Sequence, residues 1–190
     1  LYAATATELD TGSHGTTTDF DESQTQSEYL GLTYGSVFAE VGFGPVFVGV
    51  DYMPGTIETE EASTTVGDKT TSATSTQVTN TVKVEFDNLT NFYAGVTILD
   101  SFFFKVGSLS VDLNTKESLG TGSTYGNTNV DGTMLGVGMD KVLDNGMFVR
   151  AEAQYSEFDS ASLTSSSGSQ KITMDSLDGV IGKISVGKAF

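Results

Sequence analysis

The chain has 190 residues, no Cys, and nine basic against 25 acidic residues, for a net charge of −16. That balance leaves too few Lys and Arg to hold a nucleic-acid backbone, so nucleic acid is excluded as a partner. The missing thiols exclude a disulfide framework and a Cys-based metal site, and no apolar run reaches the roughly 20 residues of a membrane helix.

The length suits a single domain over 1–190, with a sizeable core or one closed barrel. Gly (22), Phe (12) and Tyr (7) are plentiful, while Pro numbers only 2. Ser and Thr are abundant, and nothing reads as an amphipathic helix of useful length. LYAATATELD, at the start, is already in strand-like alternation and lacks an initiator Met. That suits a mature protein whose export signal has been removed.

Two kinds of text alternate along the chain. Period-2 text predicts eight strands: Leu1 to Asp10, Ser27 to Phe43, Val46 to Glu60, Gln77 to Ile98, Phe102 to Lys116, Thr133 to Val142, Met147 to Phe158 and Lys171 to Phe190. Between alternate pairs lie long polar loops: Thr11 to Gln26, Glu61 to Thr76, Glu117 to Gly132 and Asp159 to Gln170. Between the others lie short breaks at Gly42 to Pro45, Leu99 to Ser101 and Leu143 to Gly146. Asp144-Asn145-Gly146 is the strongest tight-turn signal of the three. Long loops at one end and tight turns at the other give the asymmetry of a barrel threaded through an outer membrane. A soluble sandwich has no reason to sort its loops this way.

The faces follow from parity. In the seventh strand Met147, Val149, Ala151, Ala153 and Tyr155 oppose Phe148, Arg150, Glu152, Gln154 and Ser156. In the fourth, the apolar parity runs unbroken from Val82 to Ile98, which puts DNLTN (Asp87 to Asn91) in mid-strand. In the second and fifth strands the apolar parity switches, which predicts bulges near Gly35-Ser36 and Gly107-Ser108. Pro54 belongs at a bulge or above the membrane, because a closed barrel has no edge strand to hold it. Periodicity alone leaves open a soluble antiparallel barrel or sandwich with its apolar face inward.

The last ten residues, IGKISVGKAF, alternate to a final Phe. With the eight-strand pattern, this resembles the small eight-stranded outer-membrane barrels of Gram-negative bacteria, of the OmpA/OmpX type. The resemblance covers the whole chain as architecture. It implies an all-β, eight-stranded, antiparallel, up-and-down transmembrane β-barrel without a periplasmic domain. It also implies that Ile184, Val186 and Phe190 form the segment read by the barrel-assembly machinery. Lys188 departs from the family pattern, which places an aliphatic or aromatic residue there; a Lys at a strand end can snorkel. The final strand is expected to pair with Leu1 to Asp10.

With the apolar face outward, the lumen receives Glu8, Glu40, Asp51, Lys83, Glu85, Lys105, Asp140, Arg150, Glu152 and Lys183. In so narrow a barrel these charges should pair and plug the lumen. Ser13, His14 and Asp19 make a triad only on paper, since adjacent loop residues lack a scaffold. Asp19, Asp21 and Glu22 are candidates for a hard cation, but DFDES lacks calcium-loop spacing and reads as a solvated acidic loop. No cofactor is implied. The expected function is non-enzymatic: a structural or surface-interacting barrel in the outer membrane, its loops extracellular and meeting lipopolysaccharide, divalent cations, phage or host surfaces. The alternatives are a small pore for ions or polar solutes and a soluble lipocalin-like carrier.

Overall fold

The computed structural model describes residues 2–10, 22–31, 33–59, 61–68, 76–119, 124–166 and 170–189. Its strands are β1 (Tyr2–Asp10), β2 (Glu22–Leu30), β3 (Val37–Phe43), β4 (Val46–Tyr52), β5 (Ile57–Glu58), β6 (Ala62–Asp68), β7 (Thr76–Ile98), β8 (Phe102–Ser118), β9 (Thr128–Val142), β10 (Met147–Phe158), β11 (Ala161–Thr164) and β12 (Gln170–Lys188). Among the described residues there is no helix. All strands join one antiparallel, up-and-down sheet, ordered β2-β1-β12-β10-β9-β8-β7-β4-β3, with β5 and β6 on β7 and β11 on β12. Several strands are segments of one pass, so the expected passes are recognisable: β2 with β3, β4 with β5 and β6, and β10 with β11.

The expected pairing of the first and last strands is present. β1 lies antiparallel to β12 from Tyr2–Gly179 to Asp10–Gln170. The expected closure is not: the ladder ends at β2 on one side and β3 on the other. Strands also run further into the predicted loops than their apolar content suggests. Ala62–Asp68, Thr76, Thr128–Gly132 and Ala161–Thr164 are all strand. They are rich in Thr and Ser, and β-branched Thr suits a pleated ladder whose outer face is wet. Pro54 falls in the gap between β4 and β5, where it breaks no ladder bond.

Two turns bear out the tight-turn signals with glycine at positive φ, Gly44 at 64° and Gly146 at 77°. The third is less orthodox: Leu99 and Asp100 both adopt positive φ, 53° and 59°. Both lie in the left-handed region, within a three-residue connection between the paired Ile98 and Phe102.

The apolar face changes side partway up the wall. Below, on the side of the tight turns, the outer face carries Val41, Val48, Val106, Leu135 and Val180, all exposed. Above, Leu109, Val111, Leu113, Val130, Met134, Phe158 and Leu177 are buried on the inner face, with Val84, Phe86 and Leu163 packed on them, and the same cluster continues down through Phe47, Tyr93 and Phe103. The wall therefore has a lower storey that is apolar outside and an upper storey that is apolar inside.

This corrects three expectations about parity. β8 needs no bulge at Gly107-Ser108: it pairs with β9 residue by residue from Phe102–Met139 to Leu113–Thr128. Its apolar residues switch from even to odd numbers because the apolar face passes from the outside of the sheet to the inside while the backbone stays regular. Likewise 33–40 alternate regularly between outer and inner positions, with no bulge at Gly35-Ser36, although the strand assignment itself stops at Leu30 and resumes at Val37. β7 adopts the opposite solution. Asp87 to Asn91 is mid-strand as expected, but the register slips between Asp87 and Thr90, where Asn88 has φ 56°. That bulge turns Val84 and Phe86 inward and leaves Phe92, Val96 and Ile98 outward.

Candidate functional site: the lumen of the lower storey

The lower lumen is built from large side chains lying on glycines. Phe47 faces Gly95, Tyr93 faces Gly49, Phe103 faces Gly138, Lys105 faces Gly136 and Phe148 faces Gly187, each pair directly opposite on neighbouring strands. A methyl placed on Gly95 would stand 2.2 Å from the Phe47 ring, and one on Gly138 would stand 2.4 Å from Phe103. The glycines are thus the floor on which the rings rest. Phe47 also packs edge-on against Tyr93 and Phe103, at 6.4 and 5.8 Å between centroids.

Arg150 sits among these rings. Its Nη1 and Nη2 donate to Oε1 and Oε2 of Glu40 at 2.7 and 2.9 Å. Its Nε and Nη2 donate to Oδ1 and Oδ2 of Asp140 at 2.7 and 3.0 Å. Asp140 is its direct cross-strand neighbour, whereas Glu40 reaches it from β3, far along the sheet. Phe103 lies 4.6 Å from the guanidinium carbon, and Phe38 and Phe148 lie 5.6 and 5.5 Å away. The guanidinium is thus held by two bidentate carboxylates and ringed by aromatic faces.

A second group lies beside it. Lys105 and Glu152 pair with side chains only 2% and 1% exposed. Lys105 also rests 4.3 Å from the centre of the Tyr93 ring, and Gln154 donates to Glu152. Lys183 pairs with Asp51, joining β12 to β4. Like the Arg150–Glu40 pair, this contact links distant parts of the ladder, so the sheet is rolled around a shared interior.

Most predicted lumen residues therefore meet: Glu40, Asp51, Asp140, Arg150, Glu152 and Lys183, with Lys105. Lys83 and Glu85 do not. The bulge in β7 puts them on the upper storey's outer face, where Lys83 pairs with Glu58 and Glu85 with Lys116. Ile184 and Val186 lie on the exposed face of β12. Phe190, Ser13, His14, Asp19 and Asp21 lie outside the described residues, and Glu22 opens β2. Among the described residues, no group of three or more His, Cys, Asp or Glu is placed to hold a metal ion.

The aromatic–glycine floor was missed in the sequence. Its signal was available: Gly136 and Gly138 share a parity, as do Phe103 and Lys105. Which strand faces which is set only by register. Above the charges, a cavity of about 20 Å³ is lined by Asp51, Asn91, Gln154 and Ser156 among others. It has room for about one water.

On the outside of the lower storey, one row crosses the sheet: Val41, Val48, Ala94, Val106, Leu135, Tyr155 and Val180 are successive cross-strand partners. The next row down runs Phe43, Val46, Val96, Phe104, Val137, Ala153 and Gly182. In comparisons with known proteins, the sequence matches no family model and no curated protein.

Proposed function

We propose that this protein is a non-enzymatic integral outer-membrane β-barrel, whose lower storey spans the bilayer and whose upper storey and long loops serve as an interaction surface. The observation that carries the reading is the outward row from Val41 to Val180, backed by a charged interior. A soluble barrel has the reverse arrangement, and soluble proteins rarely expose apolar patches beyond a few hundred Å².

The dimensions agree. From Met147 to Tyr155 an extended strand rises about 27 Å, which is about 20 Å along a barrel axis at the usual tilt of roughly 40°. Phe43 and Phe102 lie toward the tight turns and Tyr52 and Tyr155 at the upper edge, as interfacial girdles would. Among the described residues, charge on this face is confined to Lys141 and Lys188 at its lower rim, beside Val149 and Met147, where a long side chain can snorkel; the other charges are paired inside.

The filled lumen favours a structural or surface role over the pore reading. The charged lower interior likewise disfavours a carrier of apolar ligands. The proposed partners are outer-membrane lipid, lipopolysaccharide, the barrel-assembly machinery acting on the Ile184, Val186 and Phe190 segment, and phage or host surfaces at the loops. Divalent cations would bridge the acidic loops to anionic lipopolysaccharide.

The chain has no Trp, so Val137→Trp introduces a single reporter. Its fluorescence is expected to be quenched by bromine-labelled lipid tails and spared by aqueous acrylamide, and the protein should float with vesicles after a urea wash. Acrylamide quenching with no flotation would reject the membrane reading.

A further inference from the structure

We infer that the small cavity between the charged network of the lower storey and the apolar core of the upper one is a binding site for a single monovalent cation of sodium's class. The cavity, of about 20 Å³, is bordered by six oxygen-bearing side chains: Tyr34, Ser36, Asp51, Asn91, Gln154 and Ser156. Register brings them together. Asp51 and Asn91 are direct partners on β4 and β7, and Gln154 and Ser156 are successive inner residues of β10. Tyr34 and Ser36 belong to the segment just ahead of β3. Leu109, the partner of Asn91 on β8, and Ile181 are among the apolar side chains that close the rest. The site is thus a set of oxygens held within an apolar wall, where electrostatic attraction is stronger than in water.

Two of these oxygens call for positive charge. Asp51 Oδ1 and Asn91 Oδ1 are buried and, among the described residues, accept no hydrogen bond. Asn91 is only 4% exposed, so bulk water does not serve it. The other carboxylate oxygen of Asp51, Oδ2, pairs with Lys183, and Gln154 donates its amide N–H to Glu152. An orphaned acceptor in the interior costs free energy until a donor or a cation meets it. A water can donate to both, but the charge count favours a cation. Among the described residues, Glu40, Asp51, Asp140 and Glu152 share the lower interior with Lys105, Arg150 and Lys183, four negative charges against three positive. A neutral water leaves that excess buried, whereas one monovalent cation cancels it. A divalent ion fits less well, because such sites draw on several carboxylates and Asp51 is the one acid that borders this cavity. The donors suit a hard cation, which takes carboxylate, amide and hydroxyl oxygens. The size suits it too, since room for about one water is room for one dehydrated sodium ion. The site lies in the interior, so this inference is independent of whether the outer face meets lipid.

The test is the thermal midpoint of the purified chain in non-ionic micelles at neutral pH, with sodium chloride replaced stepwise by N-methylglucamine chloride at constant ionic strength. Screening of surface charge is then the same in every sample, and the organic cation is too large for the cavity. The midpoint should rise with sodium concentration along the logarithmic curve of a single bound ligand. Asn91→Leu should abolish the sodium effect. Asn91→Asp, which adds a second carboxylate, should tighten the apparent affinity for sodium about tenfold. No difference between the two salts in the unmodified chain would overturn the site, leaving a water or a proton at Asp51. An unchanged sodium effect in Asn91→Leu would place the ion on other carboxylates and overturn it as well. Should Asn91→Leu fail to fold, Asn91→Asp decides: an affinity for sodium no tighter than that of the unmodified chain would overturn the site.

Discussion

Arg150 and Glu40 stand 110 positions apart, yet the guanidinium grips the carboxylate through two parallel hydrogen bonds of 2.7 and 2.9 Å. The pair fastens β10 to β3 across the interior, and Asp140 holds the guanidinium from the other side. Replacing Arg150 by Ala leaves two largely buried carboxylates without their cation. The expected loss is about 3–5 kcal/mol, because an uncompensated buried charge costs more than the intact pair contributes. Equilibrium urea unfolding in micelles measures it. Arg150→Lys should recover only part of the loss, since an ammonium cannot serve two carboxylates bidentately. Full recovery by Lys would show that charge alone matters there.

Gly138 carries the Phe103 ring. A methyl at this position would also stand 2.6 Å from the Ala151 carbonyl oxygen, which is backbone and cannot swing aside. Gly138→Ala should therefore destabilise the fold by about 1–3 kcal/mol, as overpacking does. Trimming the ring in Phe103→Leu should restore part of that loss in the double variant. A purely additive double variant would mean that the ring does not press on this glycine.

The eight passes, the tight turns and most of the lumen charges were legible because alternation and turn residues are local signals. Lys83 and Glu85 were misplaced because parity was carried across Asp87 to Asn91 as if the strand were regular. A bulge with Asn88 at positive φ changes which face later residues take without interrupting the apolar pattern. The opposite error occurred at Gly107-Ser108. There the apolar pattern changes and the backbone does not, because inside and outside exchange character between the storeys. A pattern of apolar residues reports which face is apolar and not which face is inward, so it cannot separate a bulged strand from a regular strand whose apolar residues change face. The open side of the sheet, where among the described residues the ladder ends at β2 and β3, was equally hidden, because register determines where each strand's partners end.

The upper storey offers a pH test. Asp112 accepts hydrogen bonds from the side-chain amides of Asn88 and Asn129, at 3.0 and 3.1 Å. Those two donors hold its carboxyl below the usual carboxylate range, Asn88 contributing most, against a smaller opposing effect of burial. A depressed folded-state value stabilises the fold above the unfolded carboxylate range, and the contribution fades as pH falls through the folded value. The thermal midpoint should fall on acidification from about pH 5 to pH 3, and Asp112→Asn should flatten that part of the profile. An unchanged slope in Asp112→Asn would assign the acid sensitivity to other carboxylates.

Leu99 is an unusual residue for its turn. It takes φ 53° and is 83% exposed, so it bears the left-handed conformation without packing to offset the cost. Leu99→Asn should stabilise the hairpin of β7 and β8 by about 1 kcal/mol, since Asn tolerates this region and a branched aliphatic does not. Thermal unfolding reads the change. A loss of stability would mean that the exposed Leu99 side chain contributes through contacts outside the fold, as lipid headgroups would supply if the membrane reading holds.

β8 allows the two storeys to be tested on one unbroken strand. Val106 faces outward and is exposed below, Leu109 faces inward and is buried, and Ser110 faces outward above. Single Cys substitutions at these sites separate three environments. If lipid surrounds the lower storey, Val106→Cys should react with a membrane-permeant maleimide and resist a charged, water-soluble one. Ser110→Cys should react with both, and Leu109→Cys with neither until the protein is unfolded. The sites are so close in sequence that differences in global stability or yield cannot produce the pattern. Equal reaction of Val106→Cys and Ser110→Cys with the charged reagent would put both storeys in water. The apolar outer row would then need a protein partner to cover it, and the membrane reading would fall.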